Sequence, residues 1–315
     1  MNIAIFDREP FSYMSFFLKN SFLKLDLNVE IYNWEDLSFS SYPFYIKYRN
    51  EKITLPKVLI TLSRVYTRNT YNDLTLIKHF LESMENNGVY CFNPINPTMN
   101  SINKLFSSNI LGKNQVSIPE TASVKSIKEI SYYINKWEDV IIKPAMGHGS
   151  IDVHRLIKKE LWSDATTSIN PFEEILIWEL LQRYGVLCIQ RFVEKVNYEY
   201  RLQVIDGEVV SAFDKLSSLN SWNSVDYLKN QTASPHIPSK LEINTAIKAV
   251  NSLNLNWATV DMVNTKDNEP FVIEVNPALS LWDNYSEVSY TCNLPIEEKI
   301  IESVKRKLAK MEGAI

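Results

Sequence analysis

The sequence predicts a mixed α/β and α+β chain of three lobes, a doubly wound parallel sheet followed by two lobes of helices and antiparallel strands. Three observations predict it. Short aliphatic runs alternate with longer helical stretches over residues 1–97. A turn-rich stretch with two prolines, Asn93-Pro-Ile-Asn-Pro, then interrupts the pattern. Beyond it, Asp206-Gly207 and a segment ending Glu274-Val-Asn276 mark hairpins.

The elements follow in order. Asn2–Phe6 reads as a strand and Phe11–Leu23 as a helix. Asn28–Trp34 and Lys57–Leu62 are further strands, the second leading into a helix over Asn72–Asn86. Gly88 stops that helix, and Tyr90–Phe92 is a short strand. The prolines of 93–100 break any helix there, which places the lobes at 1–97, 98–184 and 185–315. Ser101–Gly112 and Ser126–Trp137 read as helices and Asp139–Lys143 as a strand. Val186–Val193 opens the third lobe, and two strands joined at Asp206-Gly207 follow. Ser239 and Glu242 form a capping box for a helix to about Leu253. A second hairpin pairs Trp257–Val263 with Pro270–Asn276. The last helix has Pro295 in its first turn and Ile296, Ile300, Val304 and Leu308 at every fourth position.

Composition narrows the function. The net charge of −4 offers nothing for broad capture of nucleic acid or anionic lipid. No window approaches 18 apolar residues and the N-terminus lacks a secretory pattern, so neither a membrane span nor a signal peptide is expected. Cys91, Cys188 and Cys292 lie far apart without a CxxC pair, which suits a reducing cytoplasm and buried thiols.

The most informative segment is the second hairpin. With a turn centred on Asp267-Asn268, Asp261 falls opposite Glu274, and Asn276 faces the same side. Val260, Met262, Phe271, Ile273 and Val275 then form the apolar face. Opposed like charges destabilise a strand pair, whereas a divalent cation reverses that sign, and Asp, Glu and Asn oxygens are the hard ligands Mg²⁺ prefers. Two acids solvated on an exposed face are the alternative.

This ending resembles the metal-binding hairpin of ATP-grasp ligases, and the chain resembles their RimK-like branch over nearly its whole length. The resemblance runs through Asn2-Ile-Ala-Ile-Phe, Arg64 before a helix, Asn-Gly-Val-Tyr-Cys-Phe-Asn93, Lys104, Ile118-Pro-Glu-Thr121, Val140-Ile-Ile-Lys143-Pro and Gln190-Arg191-Phe192-Val193. It implies ATP-grasp architecture, with ATP enclosed between two lobes, and two Mg²⁺ ions for which Mn²⁺ can substitute. Lys104 and Lys143 are then the nucleotide-contacting lysines, and Gly147, His148, Gly149 and Ser150 a cover loop. Gln190–Val193 is the hinge that meets adenine, and Glu199-Tyr-Arg201 the acidic-x-Arg motif. Asp261, Glu274 and Asn276 are the metal ligands. Singly, each motif has an ordinary explanation, such as a lysine reaching water from a strand end or a Gly-x-Gly turn.

The sequence departs from the branch at Asn103, where an aspartate is usual, and before Asn223, where the expected arginine is missing. Lys215 is the nearest cation to replace it. A two-residue turn at Asp206-Gly207 pairs Arg201 with Ala212 and sends Lys215 to the opposite side, so the two converge only through a bulge. Arg64 and Arg68 are placed to grip a carboxylate, with surface ion pairing as the alternative. Trp222, Trp257, Trp282, Tyr285 and Tyr290 suggest an aromatic wall, although core packing is the commoner use of tryptophan. The resemblance implies ligation of a carboxylate to an amine through an acyl phosphate, the acceptor being an amino acid, peptide or protein. Ester- or amide-forming peptide maturation, small-molecule phosphorylation and a non-catalytic binding module are the competing readings. Oligomeric state stays open.

Overall fold

The computed structural model describes residues 2–66, 71–147, 149–158, 169–216, 222, 233–279, 290–291, 296–311 and 313. Apolar runs make the first sheet. In chain order come β1 (Asn2–Asp7), α1 (Tyr13–Leu23), β2 (Asn28–Asn33), β3 (Leu37–Ser41), β4 (Phe44–Tyr48), β5 (Glu51–Ile53), β6 (Val58–Thr61), α2 (Ser63–Tyr66), α3 (Tyr71–Asn86) and β7 (Tyr90–Phe92). Strands β2-β1-β6-β7 form a parallel sheet, while β3-β4-β5 form a separate antiparallel meander absent from the sequence reading. Residues alternating along β1 serve two cores. Ile3 and Ile5 face one that contains Leu18 and Phe22 of α1; Ala4 and Phe6 face another that contains Ile77 and Phe80 of α3.

The next elements are α4 (Ile95–Ile102), α5 (Lys104–Lys113), β8 (Thr121–Val124), α6 (Ile127–Trp137), β9 (Asp139–Pro144), β10 (His154–Ile157), α7 (Pro171–Tyr184) and β11 (Leu187–Arg191). Three expectations are corrected here. The prolines of 93–97 do not exclude a helix: Pro94 is the N-cap of α4 and Pro97 sits in its first turn, where no intrahelical N–H is required. The helix expected over Ser101–Gly112 breaks instead at Asn103, whose side chain accepts from the amides of Leu105 and Phe106 and caps α5. The strand expected to open the third lobe belongs to the second sheet, since β11 is hydrogen-bonded between β8 and β9 in the order β10-β9-β11-β8.

The third sheet is built from β12 (Glu199–Ile205), β13 (Glu208–Lys215), β14 (Ala233–Pro235), β15 (Trp257–Asn264), β16 (Pro270–Asn276) and β17 (Tyr290–Thr291), with α8 (Lys240–Ser252) and α9 (Ile296–Met311). Helix α8 starts at the expected capping box, and its Ala246, Ala249 and Val250 pack under the sheet with Leu202, Val260 and Val275. The fours of α9 hold: Ile296, Ile300 and Val304 are buried, in the same core as Phe22 of α1.

One side chain joins first lobe to third. Buried Asn93 donates to the carbonyls of Trp257 (2.8 Å) and Pro277 (3.0 Å), and accepts from the amides of Asn256 (2.6 Å) and Trp257 (2.9 Å). Its carboxamide thus behaves like an extra peptide group across the open end of the β15–β16 hairpin. Ser101 adds a bond from its hydroxyl to the Val275 carbonyl at 2.5 Å. Cys91 and Cys188 are buried free thiols, while Cys292 lies outside the described residues. Among the described residues no helix is long and apolar enough to cross a membrane.

Candidate active site

Residues of the second and third sheets line a single open cleft. Lys104, Lys143, Lys195, Arg201 and Lys215 line it together with Glu199, Asp261 and Glu274. With Arg191 the lining holds six cations against three carboxylates, an excess of positive charge suited to a polyphosphate.

The acids sit where the hairpin reading put them, but by a different route. Asp261 is directly opposite Glu274, and Thr259 is opposite Asn276. The loop has five residues, 265–269, rather than two, and a one-residue bulge at Ile273 restores the register. The apolar stripe changes accordingly. Val260, Met262, Val272 and Val275 face the core, whereas Ile273 turns with Val263 into the cleft. Phe271 is half-buried and outside that core.

The cations converge through a second bulge. Ile205 and Val204 pair with Glu208 and Val209, as a tight turn requires, but Gln203 pairs with Ser211. Val210 is the extra residue. The shift places Lys215 opposite Glu199 and on the side of Arg201, which overturns the expectation that Lys215 faces away. Lys215 is 3% exposed, is ion-paired to Glu199 and lies 3.2 Å from Asp261 Oδ1. Arg201 grips Asp261 with Nε at 2.5 Å from Oδ1 and Nη2 at 3.2 Å from Oδ2. Burial pushes the Asp261 carboxyl up, but Arg201 and Lys215 together hold it below the ordinary carboxylate value.

Glu274 is paired on the other flank, 3.0 Å from Lys104 Nζ. Burial and the facing Asp261 oppose ionisation, and Lys104 and Lys143 together hold the carboxyl below its ordinary value. Lys104 Nζ also donates to the Gly147 carbonyl at 2.8 Å, so one ammonium joins the cover loop to the carboxylate. Gly149, Ser150 and Asp152 adopt left-handed backbone in that loop. Lys143 is buried and faces the cleft; burial lowers its pKa, Lys104 adds to the effect, and Cys188 and Glu274 oppose it.

The donor set fits a hard divalent cation. Two ionised carboxylates share a face, and Asn276 lies beside them with Nδ2 3.3 Å from Asp261 Oδ2, which leaves its carbonyl oxygen for other use. Among the described residues no group of three or more His, Cys, Asp or Glu side chains gathers as in an all-protein metal cage. Two carboxylates and an amide suit an ion completed by phosphate oxygens and water.

In the hinge segment, Gln190 faces the cleft beside Ile141 and Lys143, while Leu187 and Ile189 face the core. Phe192 and Val193 line the cleft as well; Phe192 is covered by the Arg155 guanidinium 3.8 Å from its ring centroid. Arg191 lines the cleft too, but its exposed side chain also pairs with Glu120. Arg64 stands apart from the cleft lining. It sits at the carboxyl edge of the first sheet, Nη1 donating to the Pro10 carbonyl (2.6 Å) and lying 3.7 Å from Asp7. Trp222 lines the cleft, but Trp257 is fully buried against Phe92 in the core and is no part of a wall. Arg68, His148, Asn223, Trp282 and Tyr285 lie outside the described residues. Sequence reasoning missed Lys195, Val263 and Ile273 as lining groups. Lys195 has no motif around it, and the other two depend on bulges and strand ends.

Known proteins resemble the chain in sequence and in fold. A model of the RimK-like ATP-grasp domain matches residues 101–304. The tetrahydromethanopterin:α-L-glutamate ligase of Methanocaldococcus jannaschii is 31% identical over 223 residues, 70% of this chain and 71% of that protein. The coenzyme γ-F420-2:α-L-glutamate ligase of Methanococcus maripaludis is 27% identical over 205 residues, 63% of this chain and 66% of its own length. Among solved structures, the D-cycloserine synthetase DcsG superposes with a TM-score of 0.71 at 15% identity, covering 98% of this chain and all of its own. The ATP-grasp ligase PsnB, complexed with a minimal precursor, Mg and ADP, superposes with a TM-score of 0.64 at 14% identity, covering 98% of each chain.

Proposed function

The chain belongs to the RimK-like ATP-grasp family of ATP-dependent ligases, and on that premise we propose that it joins a substrate carboxylate to the amine of an amino acid. The α-L-glutamate ligases among its relatives favour glutamate or a close analogue as that amine. The observation that carries the reading is the convergence of Lys104, Lys143, Arg201 and Lys215 with Asp261 and Glu274 in one cleft.

In this reading a carboxylate oxygen attacks the γ-phosphorus as the bond to the leaving ADP oxygen breaks, which gives an acyl phosphate. The amine nitrogen then attacks the acyl carbon, phosphate departs, and the amine loses a proton. Lys104 and Lys143 hold the phosphates, and Arg201 and Lys215 balance charge developing on the transferred group. Mg²⁺ held by Asp261, Glu274 and Asn276 would neutralise phosphate oxygens. Arg64 serves as a carboxylate grip at the edge of the first sheet, and Arg68 and Asn223 as further substrate contacts.

The test is thermal unfolding with AMP-PNP, with and without Mg²⁺, on wild type and Glu274→Gln. A ligand at 100 times its Kd stabilises by about 2.7 kcal/mol, a rise of roughly 2–8 °C. The expected rise depends on Mg²⁺ and shrinks in the variant. ADP release with L-glutamate and candidate carboxylates then tests the substrate assignment. Absence of any Mg²⁺-dependent rise removes the nucleotide reading.

A further inference from the structure

The Pro119-Glu120-Thr121 motif has no part in the reaction described above; Pro119 lines the cleft, and Thr121 reaches it through Gln190. Thr121 and Gln190 are directly paired in the β8–β11 ladder. The Thr121 hydroxyl donates to the Pro119 carbonyl at 2.8 Å, and Gln190 Nε2 donates to Thr121 Oγ1 at 2.9 Å. These two bonds have a fixed direction. A carbonyl only accepts, so the hydroxyl hydrogen is committed to Pro119 and Oγ1 can only accept in turn. The group facing it must therefore be the NH₂ of Gln190, which settles the orientation of an amide whose two ends look alike. Gln190 is 5% exposed and lines the cleft, and its Oε1 has no hydrogen-bond partner among the described residues.

We propose that this relay makes Thr121 a positioning residue for base selection, presenting Gln190 Oε1 as an acceptor that favours a 6-aminopurine over a 6-oxopurine nucleotide. The proposal rests on the reading of the cleft as a nucleotide site. Adenine carries an amino donor at its 6-position, whereas guanine and hypoxanthine carry a carbonyl oxygen there. An oxygen facing Oε1 leaves two acceptors opposed without a proton, a mismatch that a desolvated pocket penalises. Were the amide free to turn, NH₂ could meet the 6-oxo group and the preference would weaken. Thr121 touches neither base nor phosphate and acts through Gln190 alone.

The experiment measures Kd for Mg-ATP and Mg-ITP by titration calorimetry on wild type, Thr121→Val, Thr121→Ser and Gln190→Met. Valine keeps the β-branched shape suited to a strand and removes the hydroxyl; serine keeps the relay. Wild type and Thr121→Ser should prefer ATP. In Thr121→Val the ATP:ITP preference should fall about tenfold, the scale of one hydrogen bond. Gln190→Met should lose it as well, and keeps the test open should the valine variant fail to fold. Equal binding of ATP and ITP by wild type, or an unchanged preference in folded Thr121→Val or Gln190→Met, overturns the relay and leaves the nucleotide site standing. Failure of wild type to bind either nucleotide overturns both.

Discussion

Two hairpins lie side by side in the third sheet, and each carries a one-residue bulge with the opposite effect on charge. In β12–β13 the turn is tight and the bulge at Val210 draws a cation in, bringing Lys215 over Glu199 and Asp261. In β15–β16 the loop is odd-numbered, and the bulge at Ile273 sets two acids face to face. The first hairpin makes the site by attraction within the protein. The second holds a repulsion that Lys104 and Arg201 offset here and that a metal ion would relieve. Loss of a charge should therefore register differently in the two: as stability in the first, as ligand affinity in the second.

The largest effect is expected in the second hairpin. Glu274→Gln should weaken apparent Mg²⁺ affinity by more than about 100-fold, the upper end of what even supporting groups cost. Stability without ligand should stay within about 1 kcal/mol, because loss of the Lys104 pair is offset by relief of the repulsion with Asp261. Mg²⁺ titration of nucleotide binding, beside urea unfolding of the free protein, reads both. Normal Mg²⁺ affinity would remove the metal assignment.

In the first hairpin, Lys215→Met leaves Glu199 and Asp261 in a buried site with Arg201 as the remaining cation of this hairpin against Asp261. A loss of about 3 kcal/mol in urea unfolding without ligand is expected, the lower end for a broken buried pair. A cost no larger than that of Glu274→Gln would erase the contrast between the hairpins.

The back of the first hairpin supplies a pH-dependent check. His236 stacks on Tyr200 and lies 3.0 Å from Asp214 and 3.5 Å from Glu242. Burial lowers the His236 pKa, but the neighbouring Asp214 and Glu242 carboxylates carry it up to about 9 from 6.5. Glu242 is held at about 2 from 4.5: burial raises it, and His236 and Asn264 outweigh that. The His236 contribution is thus complete below pH 6.5 and lost as pH rises to about 9; that of Glu242 is complete above 4.5 and lost as pH falls to about 2. Urea midpoints should decline between pH 6.5 and 9, and His236→Gln should flatten that decline. An equal slope in the variant would show that other groups set it.

Outside both hairpins, Arg191→Ala should change stability by less than about 1 kcal/mol, since its side chain and Glu120 are both largely exposed. A larger loss of nucleotide affinity than of stability would show that this side chain meets the ligand.

The same two hairpins explain what the sequence disclosed. Asp-Gly identifies a tight turn because its backbone needs positive φ, and both Asp206 and Gly207 have it. A bulge has no such signature: Val210 lies in a run of apolar residues that looks continuous in either register. The opposition of Asp261 and Glu274 was legible only because an odd loop and a bulge cancel. The α8 capping box and the fours of α9 were read directly, each resting on local bonding or helical period. The β3–β5 meander was not, because its half-exposed residues alternate weakly. Helix α7 carries its own signal in Asn170, Pro171 and Glu173, a capping box with proline at its start, which the strand-centred reading passed over. Which sheet β11 joins depends on partners about fifty and seventy residues away, beyond the range of local pattern.

The carboxamide of Asn93 bears on where the protein can be cut. The stretch that matches the family domain begins at residue 101, so a fragment trimmed to those limits discards the side chain that closes the hairpin bearing Asp261, Glu274 and Asn276. Four hydrogen-bonding groups on Asn256, Trp257 and Pro277 would lose their partner in one stroke. The stretch that matches the family is, in this sense, unfinished until a residue laid down some 160 positions before its partner reaches it.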